Sequence, residues 1–124
     1  MHNRKKFLFL LALVAGAVVT TNALAQTPAA WPTKPVKIVV PFPAGGTSDV
    51  LARILGQKMS ENWGQPVVVE NRPGASGNLG ADLVAKSPAD GYTLALMDVG
   101  NLAIAPALYK LPFNVQTDFA PTAM

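Results

Sequence analysis

Three short apolar runs, each ending in a loop of small residues that opens into a stretch of helical spacing, most constrain what this chain can fold into. Val36-Lys37-Ile38-Val39-Val40 is largely β-branched and predicts a first strand, which Pro41 ends. Residues 41–48 form a loop with two prolines and two glycines. A helix is predicted next. Thr47 or Ser48 can cap it, and Asp49 sits in the first turn, where the helix dipole favours negative charge. Val50, Leu51, Ile54, Leu55 and Met59 recur at helical spacing and predict one inward apolar stripe, closed by residues 62–64 and by Pro66. Val67-Val68-Val69 predicts a second strand, and its lack of alternation predicts burial on both faces. A loop over 70–78 leads to a second helix from 78 to about 86, with Leu79, Leu83 and Val84 facing inward. Tyr92-Thr93-Leu94-Ala95-Leu96-Met97 reads as a third strand, 103–109 as a short helical piece, and 119–124 as the start of a further strand. The order β-α-β-α-β predicts an α/β protein with a parallel sheet and helices on its faces.

The amino end has a different character. Arg4, Lys5 and Lys6 precede an uncharged apolar run from Phe7 to Val19, and Ala23-Leu24-Ala25 follows. Those are the parts of a removable secretory signal, with cleavage expected after Ala25. The run is shorter than the ~20 residues a membrane-spanning helix needs, so stable membrane insertion is not expected once the signal is removed. Residues 26–35 read as a leader rich in Pro, Ala and Thr. The formal charge of +3 resides in those first basic residues. Without them the acids and bases balance, and no basic cluster remains to track nucleic acid phosphates. The chain has no cysteine, and its single histidine is His2. Thiol chemistry, disulfides and the usual neutral-pH proton carrier are therefore absent from the segment after the signal. The acidic residues show no metal-ligand spacing, and no cofactor motif is present.

In open parallel sheets, ligands bind beyond the carboxyl ends of the strands. The loops expected at that edge are 41–48, 72–78 and 98–101. Gly45 and Gly46 let the backbone of the first approach a ligand, Thr47 and Ser48 add hydroxyls, and the helix start supplies N–H groups suited to an anion. An ordinary strand-to-helix turn accounts for the same residues. The second loop repeats the pattern with Gly74, Ser76, Gly77 and Asn78 and fits neither dinucleotide nor phosphate-loop fingerprints, so a purely structural turn remains open there too. Ser76 lacks the Gly-x-Ser-x-Gly setting of a hydrolase nucleophile. Trp31 and Trp63 read as packing residues.

Two longer motifs bring a family into view. Trp31-Pro32-x-Lys34-Pro35-Val36-Lys37-Ile38-Val39-Val40-Pro41-Phe42-x-Ala44-Gly45-Gly46-x-x-Asp49 resembles the start of the periplasmic substrate-binding proteins of tripartite tricarboxylate transporters, the Bug receptors. Val69-Glu70-Asn71-Arg72-Pro73-Gly74-Ala75-x-Gly77-Asn78-x-Gly80 resembles their second signature, and Asp90-Gly91-Tyr92-Thr93-Leu94 and Asp118-Phe119-Ala120-Pro121 fit as well. The resemblance implies a periplasmic receptor, not an enzyme, that captures a small organic acid between two hinged α/β domains and passes it to membrane transport subunits. It implies that Phe42, Ala44, Gly45, Gly46, Thr47, Ser48 and Asp49, with Gly74, Ala75, Ser76, Gly77 and Asn78, hold one ligand carboxylate, partly through water. It further implies that residues 36–124 are the N-terminal part of domain 1 of a type II-like periplasmic binding fold, with domain 2 absent. A fragment, a gene cut short and a shifted reading frame each account for that. The alternatives are a truncated product without function and an α/β enzyme whose catalytic half lies elsewhere.

Overall fold

The computed structural model describes residues 30–122. The expected secretory signal, and the start of the leader, lie outside the described residues. Strand β1 (Val36–Val40), helix α1 (Thr47–Trp63), strand β2 (Val67–Asn71), helix α2 (Asn78–Ala85) and strand β3 (Thr93–Ala95) follow in order. A wide helical turn (Gly100–Ile104) then runs into helix α3 (Ala105–Leu108). The strand order is β2-β1-β3, with both pairings parallel. The α/β class and the β-α-β-α-β order expected from the sequence are therefore present.

The central position of β1 explains its composition. It is hydrogen-bonded on both sides and covered on both faces, so Val36, Ile38, Val39 and Val40 are all buried. Its one charged residue, Lys37, reaches the rim and pairs with Glu70 of β2 at 2.6 Å. Strand β2 lies at an edge of this sheet, and there the expectation of burial on both faces is corrected: Val68 is 51% exposed. Its neighbours Val67 and Val69 point to the opposite face and pack on the core of Ile38, Val40 and Ala52, together with Phe42, Met59, Leu94 and Leu96.

Helix α1 also turns a different face to the sheet from the one its apolar spacing predicts. Asp49, Ala52 and Gly56 are buried, whereas Val50, Leu51, Ile54 and Leu55 are exposed; of the expected stripe, only Met59 packs on the core. The reason is the closeness of approach. A Cβ on Gly56 would lie 3.3 Å from Val67 Cγ1 and 3.6 Å from Val69 Cγ2. Small residues at i, i+3 and i+7 let the helix axis come close to the strands, and larger side chains would hold it off.

Three smaller expectations also change. Gly46 takes the N-cap of α1 with no side-chain cap bond, so Thr47 and Ser48 are first-turn residues and not caps. Leu79 is exposed: the inward positions of α2 are Gly80 and Ala81, because a Cβ on Gly80 would already meet the Arg72 carbonyl oxygen at 2.8 Å and Pro41 Cβ at 2.9 Å. Residues 119–122 form no strand; Phe119 instead packs its ring edge-on against Phe113, with centroids 5.7 Å apart.

Candidate functional site

Because all three strands are parallel, their carboxyl ends, and the loops that leave them, share one edge of the sheet. The first loop (41–46) falls from β1 into α1. Phe42 is half-buried, and Ala44, Gly45, Gly46 and Thr47 are exposed. Gly45 has φ +84°, a value L side chains rarely adopt. The first helical hydrogen bond runs from the Val50 N–H to the Gly46 carbonyl, at 3.0 Å. The N–H groups of Thr47, Ser48 and Asp49 precede it and have no acceptor within the helix. This is the arrangement that favours anions, carboxylates included.

Asp49, in the first turn of α1, turns inward beneath this loop and is 3% exposed. Its Oδ2 accepts hydrogen bonds from the Gly45 N–H at 2.8 Å and from Arg53 Nε at 3.1 Å, and its Oδ1 pairs with Arg53 Nη2 at 3.0 Å. The Arg53 guanidinium, then the Gly45 amide, hold the carboxyl down to about 2, so it is charged throughout the physiological range. Arg53 largely neutralises that charge locally. An anion approaching the start of α1 therefore meets amide dipoles and not a bare carboxylate.

Arg53 continues into β2. Its Nη2 donates to Asn71 Oδ1 at 3.2 Å, while Asn71 Nδ2 donates to the Phe42 carbonyl at 3.1 Å. The chain Gly45–Asp49–Arg53–Asn71–Phe42 thus closes a ring of hydrogen bonds from the first loop, through α1 and the end of β2, back to the first loop. Arg53 and Asn71 were not among the site residues expected from the sequence. Asn71 lies within the second signature motif, and the spacing of Asp49 and Arg53 at i, i+4 is the local sign that could have linked that pair.

The second loop (72–77) is unusual in its backbone. Gly74, Ala75, Ser76 and Gly77 have φ of 136°, 47°, 55° and 87°. Two consecutive non-glycine residues in the left-handed region are costly and persist only where their surroundings impose them. Within the loop, the Gly77 N–H donates to the Gly74 carbonyl at 2.9 Å, and Leu79 lies over Gly74. Ala75 and Ser76 are exposed, Gly77 is buried, and Asn78 is half-buried at the start of α2. Arg72, the first residue of the loop, forms an ion pair with Glu70. The third loop approaches from β3: the Asn101 Nδ2 donates to the Ser76 carbonyl at 3.0 Å. The structure therefore gathers the three expected loops at one edge. It leaves Ala44, Gly45, Gly46, Thr47, Gly74, Ala75 and Ser76 open to solvent, and it uses Asp49 as a support beneath them.

Among the described residues, no group of three or more His, Cys, Asp or Glu could hold a metal ion, and no helix is long and apolar enough to cross a membrane.

Comparison with known proteins points in one direction. The family model described as "Tripartite tricarboxylate transporter family receptor" matches residues 51–124. Protein BugT of Bordetella pertussis is 42% identical over 118 residues, which cover 92% of this chain and 36% of that protein. Among solved structures, MatC from Rhodopseudomonas palustris with bound malate superposes with TM-score 0.70 at 39% identity, covering 73% of this chain and 31% of that one. R. palustris Rpa4515 with adipate gives TM-score 0.56 at 53% identity, covering 56% and 23%. The chain spans about a third of the length of the curated relatives it matches. With the parallel sheet, the two signature loops and a family match over more than half of its residues, the chain belongs to the tripartite tricarboxylate transporter receptor family.

Proposed function

We propose that this chain supplies one wall of a periplasmic receptor that captures a small organic acid for uptake by a tripartite transporter, and that its first and second loops hold one carboxylate of that acid. The observation that carries the reading is the pairing, at one sheet edge, of an uncapped 17-residue helix start behind Gly45-Gly46 with a second loop of left-handed backbone. Both offer backbone groups and neither offers a large side chain, which suits a compact anion approached closely. Phe42, Ala44, Gly45, Gly46, Thr47 and Ser48 form one side of this subsite, and Gly74, Ala75, Ser76, Gly77 and Asn78 the other. Asp49 fixes the first side from below. Relatives solved with malate and with adipate support a dicarboxylate as the class to try first.

Binding without turnover is the expected behaviour. After the signal the sequence contains no histidine or cysteine, the residues most often used to activate or serve as a nucleophile near neutral pH. The family's receptors and the secretory character of residues 1–25 support a periplasmic location, with membrane transport subunits as partners. The test is calorimetric titration of the full-length protein with malate, adipate and citrate, followed by recovery of the ligand. Saturable binding with the acid returned unchanged is expected. Chemical conversion of the acid, or no binding by any of the three, would sink the reading.

A further inference from the structure

Asn101 joins the segment after the third strand to the second loop. It is 1% exposed, within the wide helical turn that follows β3. Its own N–H is held by Asp98, at 3.2 Å from Oδ1, so its backbone position is fixed from the strand side. Its side chain crosses to a residue 25 positions earlier, where Nδ2 donates to the Ser76 carbonyl. Gly77 packs against the same amide: a Cβ there would lie 2.6 Å from Asn101 Nδ2 and 3.1 Å from Oδ1. Asn101 Oδ1 has no hydrogen-bond partner among the described residues. The amide therefore sits directly beneath the left-handed run and holds the carbonyl of one of its two strained non-glycine residues.

We infer that Asn101 is a positioning residue for ligand capture: it locks the second loop in the left-handed conformation that turns its backbone toward the crevice. The inference rests on the carboxylate reading of that loop. An isolated loop has little reason to keep Ala75 and Ser76 at positive φ. A buried amide fixed in the helical turn that follows β3 supplies one, since releasing the Ser76 carbonyl would leave a shielded donor without a partner. The Gly77 position serves the same end, because any side chain there would push the amide away from Ser76.

The test uses the full-length protein and the variants Asn101→Ala, Asn101→Asp and Gly77→Ala. Malate and adipate affinity, thermal midpoint and amide hydrogen exchange at residues 75–79 are read for each. The Asp variant keeps the shape and loses the donor; Gly77→Ala keeps the donor and displaces it. The expected result is a loss of about tenfold or more in affinity. It should come with faster exchange confined to 75–79, unchanged exchange in β1, and continued ligand protection of the first loop. Wild-type affinity together with wild-type exchange in the Ala and Asp variants would overturn the inference and leave the carboxylate reading intact. A rise in exchange across the whole sheet in both variants would also overturn it, by making Asn101 a general core residue. If the unaltered protein binds neither acid, the carboxylate reading falls with the capture role, and exchange in the unliganded variants still decides whether Asn101 holds the loop.

Discussion

The two edges of the same small sheet are built from opposite materials. At the edge where the strands begin, Trp31 meets Trp63 edge-on with ring centroids 4.9 Å apart and lies 5.7 Å from Tyr92. Lys34 sits 4.3 Å above the Tyr92 ring and pairs with Asp90 at 3.1 Å, and the Tyr92 hydroxyl accepts the Thr33 N–H at 2.9 Å. At the edge where the strands end, glycine, alanine and serine predominate, and hydrogen bonds through Asp49, Arg53, Asn71 and Asn101 do the joining. Aromatic contacts bury area but tolerate small shifts in ring angle. Hydrogen bonds to backbone groups bury little area but fix the direction in which N–H and C=O groups point. The first edge is thus suited to holding the fold together and the second to holding a ligand, and damage at the two should separate stability from affinity.

The largest effect is expected where that division should break. Gly80→Ala lies at the ligand edge, yet the new Cβ would press on the Arg72 carbonyl and on Pro41, mostly backbone atoms that cannot swing aside. A loss of about 2–3 kcal/mol in denaturant unfolding is expected; unchanged stability would show that α2 can move off the first loop without penalty. Trp63→Ala should follow at about 2 kcal/mol, below the range for a fully buried tryptophan because this ring is only partly covered. Affinity for a dicarboxylate should stay within about twofold, since the ring is at the far end of α1; a larger change would mean that the two edges are coupled. Asp49→Asn sharpens the comparison through pH. The carboxyl is held at about 2 in the fold against 3.8 ordinarily, so its stabilisation is fully present above about pH 5 and is lost progressively as pH falls from about 5 towards about 1. The stability gap between the unaltered protein and the Asn variant should be constant above about pH 5 and narrow steadily below it. A gap that persists undiminished at pH 2 would rule out the charged pairing with Arg53 as its source.

How far the sequence revealed these edges differs by residue. Val36 to Val40 was legible because a β-branched run closed by Pro41 has few other uses, and the two signature loops were legible as motifs. The buried face of α1 was not. Val50, Leu51, Ile54 and Leu55 carry the apolar spacing, but the sheet takes Asp49, Ala52 and Gly56, because closeness of packing outweighs the size of the apolar group. Small residues at i, i+3 and i+7 hold that information, and a hydropathy pattern discards it. Likewise Val68 is apolar yet exposed, since edge position is a property of strand order and not of the strand's own composition. The place of Asn101 at the ligand edge was legible in the loop 98–101, but its pairing was not: its partner is on another loop, and only the parallel arrangement of β2, β1 and β3 brings the two together.

The smallest effect tests whether the aromatic edge owes anything to charge. Lys34 is exposed, as is its partner Asp90, and water screens both the ion pair and the contact with the Tyr92 ring. The Asp90 carboxyl is nonetheless held below its ordinary value, first by the Tyr92 N–H and then by Lys34. Removing Lys34 leaves the larger of those two influences in place. Lys34→Ala should therefore lower the thermal midpoint by only about 1–2 °C at low salt, and that difference should vanish near 1 M salt, where charges are screened within ~3 Å. A larger drop that survives high salt would assign the stabilisation to the packing of the lysine stem over Tyr92. The edge where the strands begin would then owe its stability mainly to packing and little to charge, in sharper contrast with the hydrogen-bonded edge opposite.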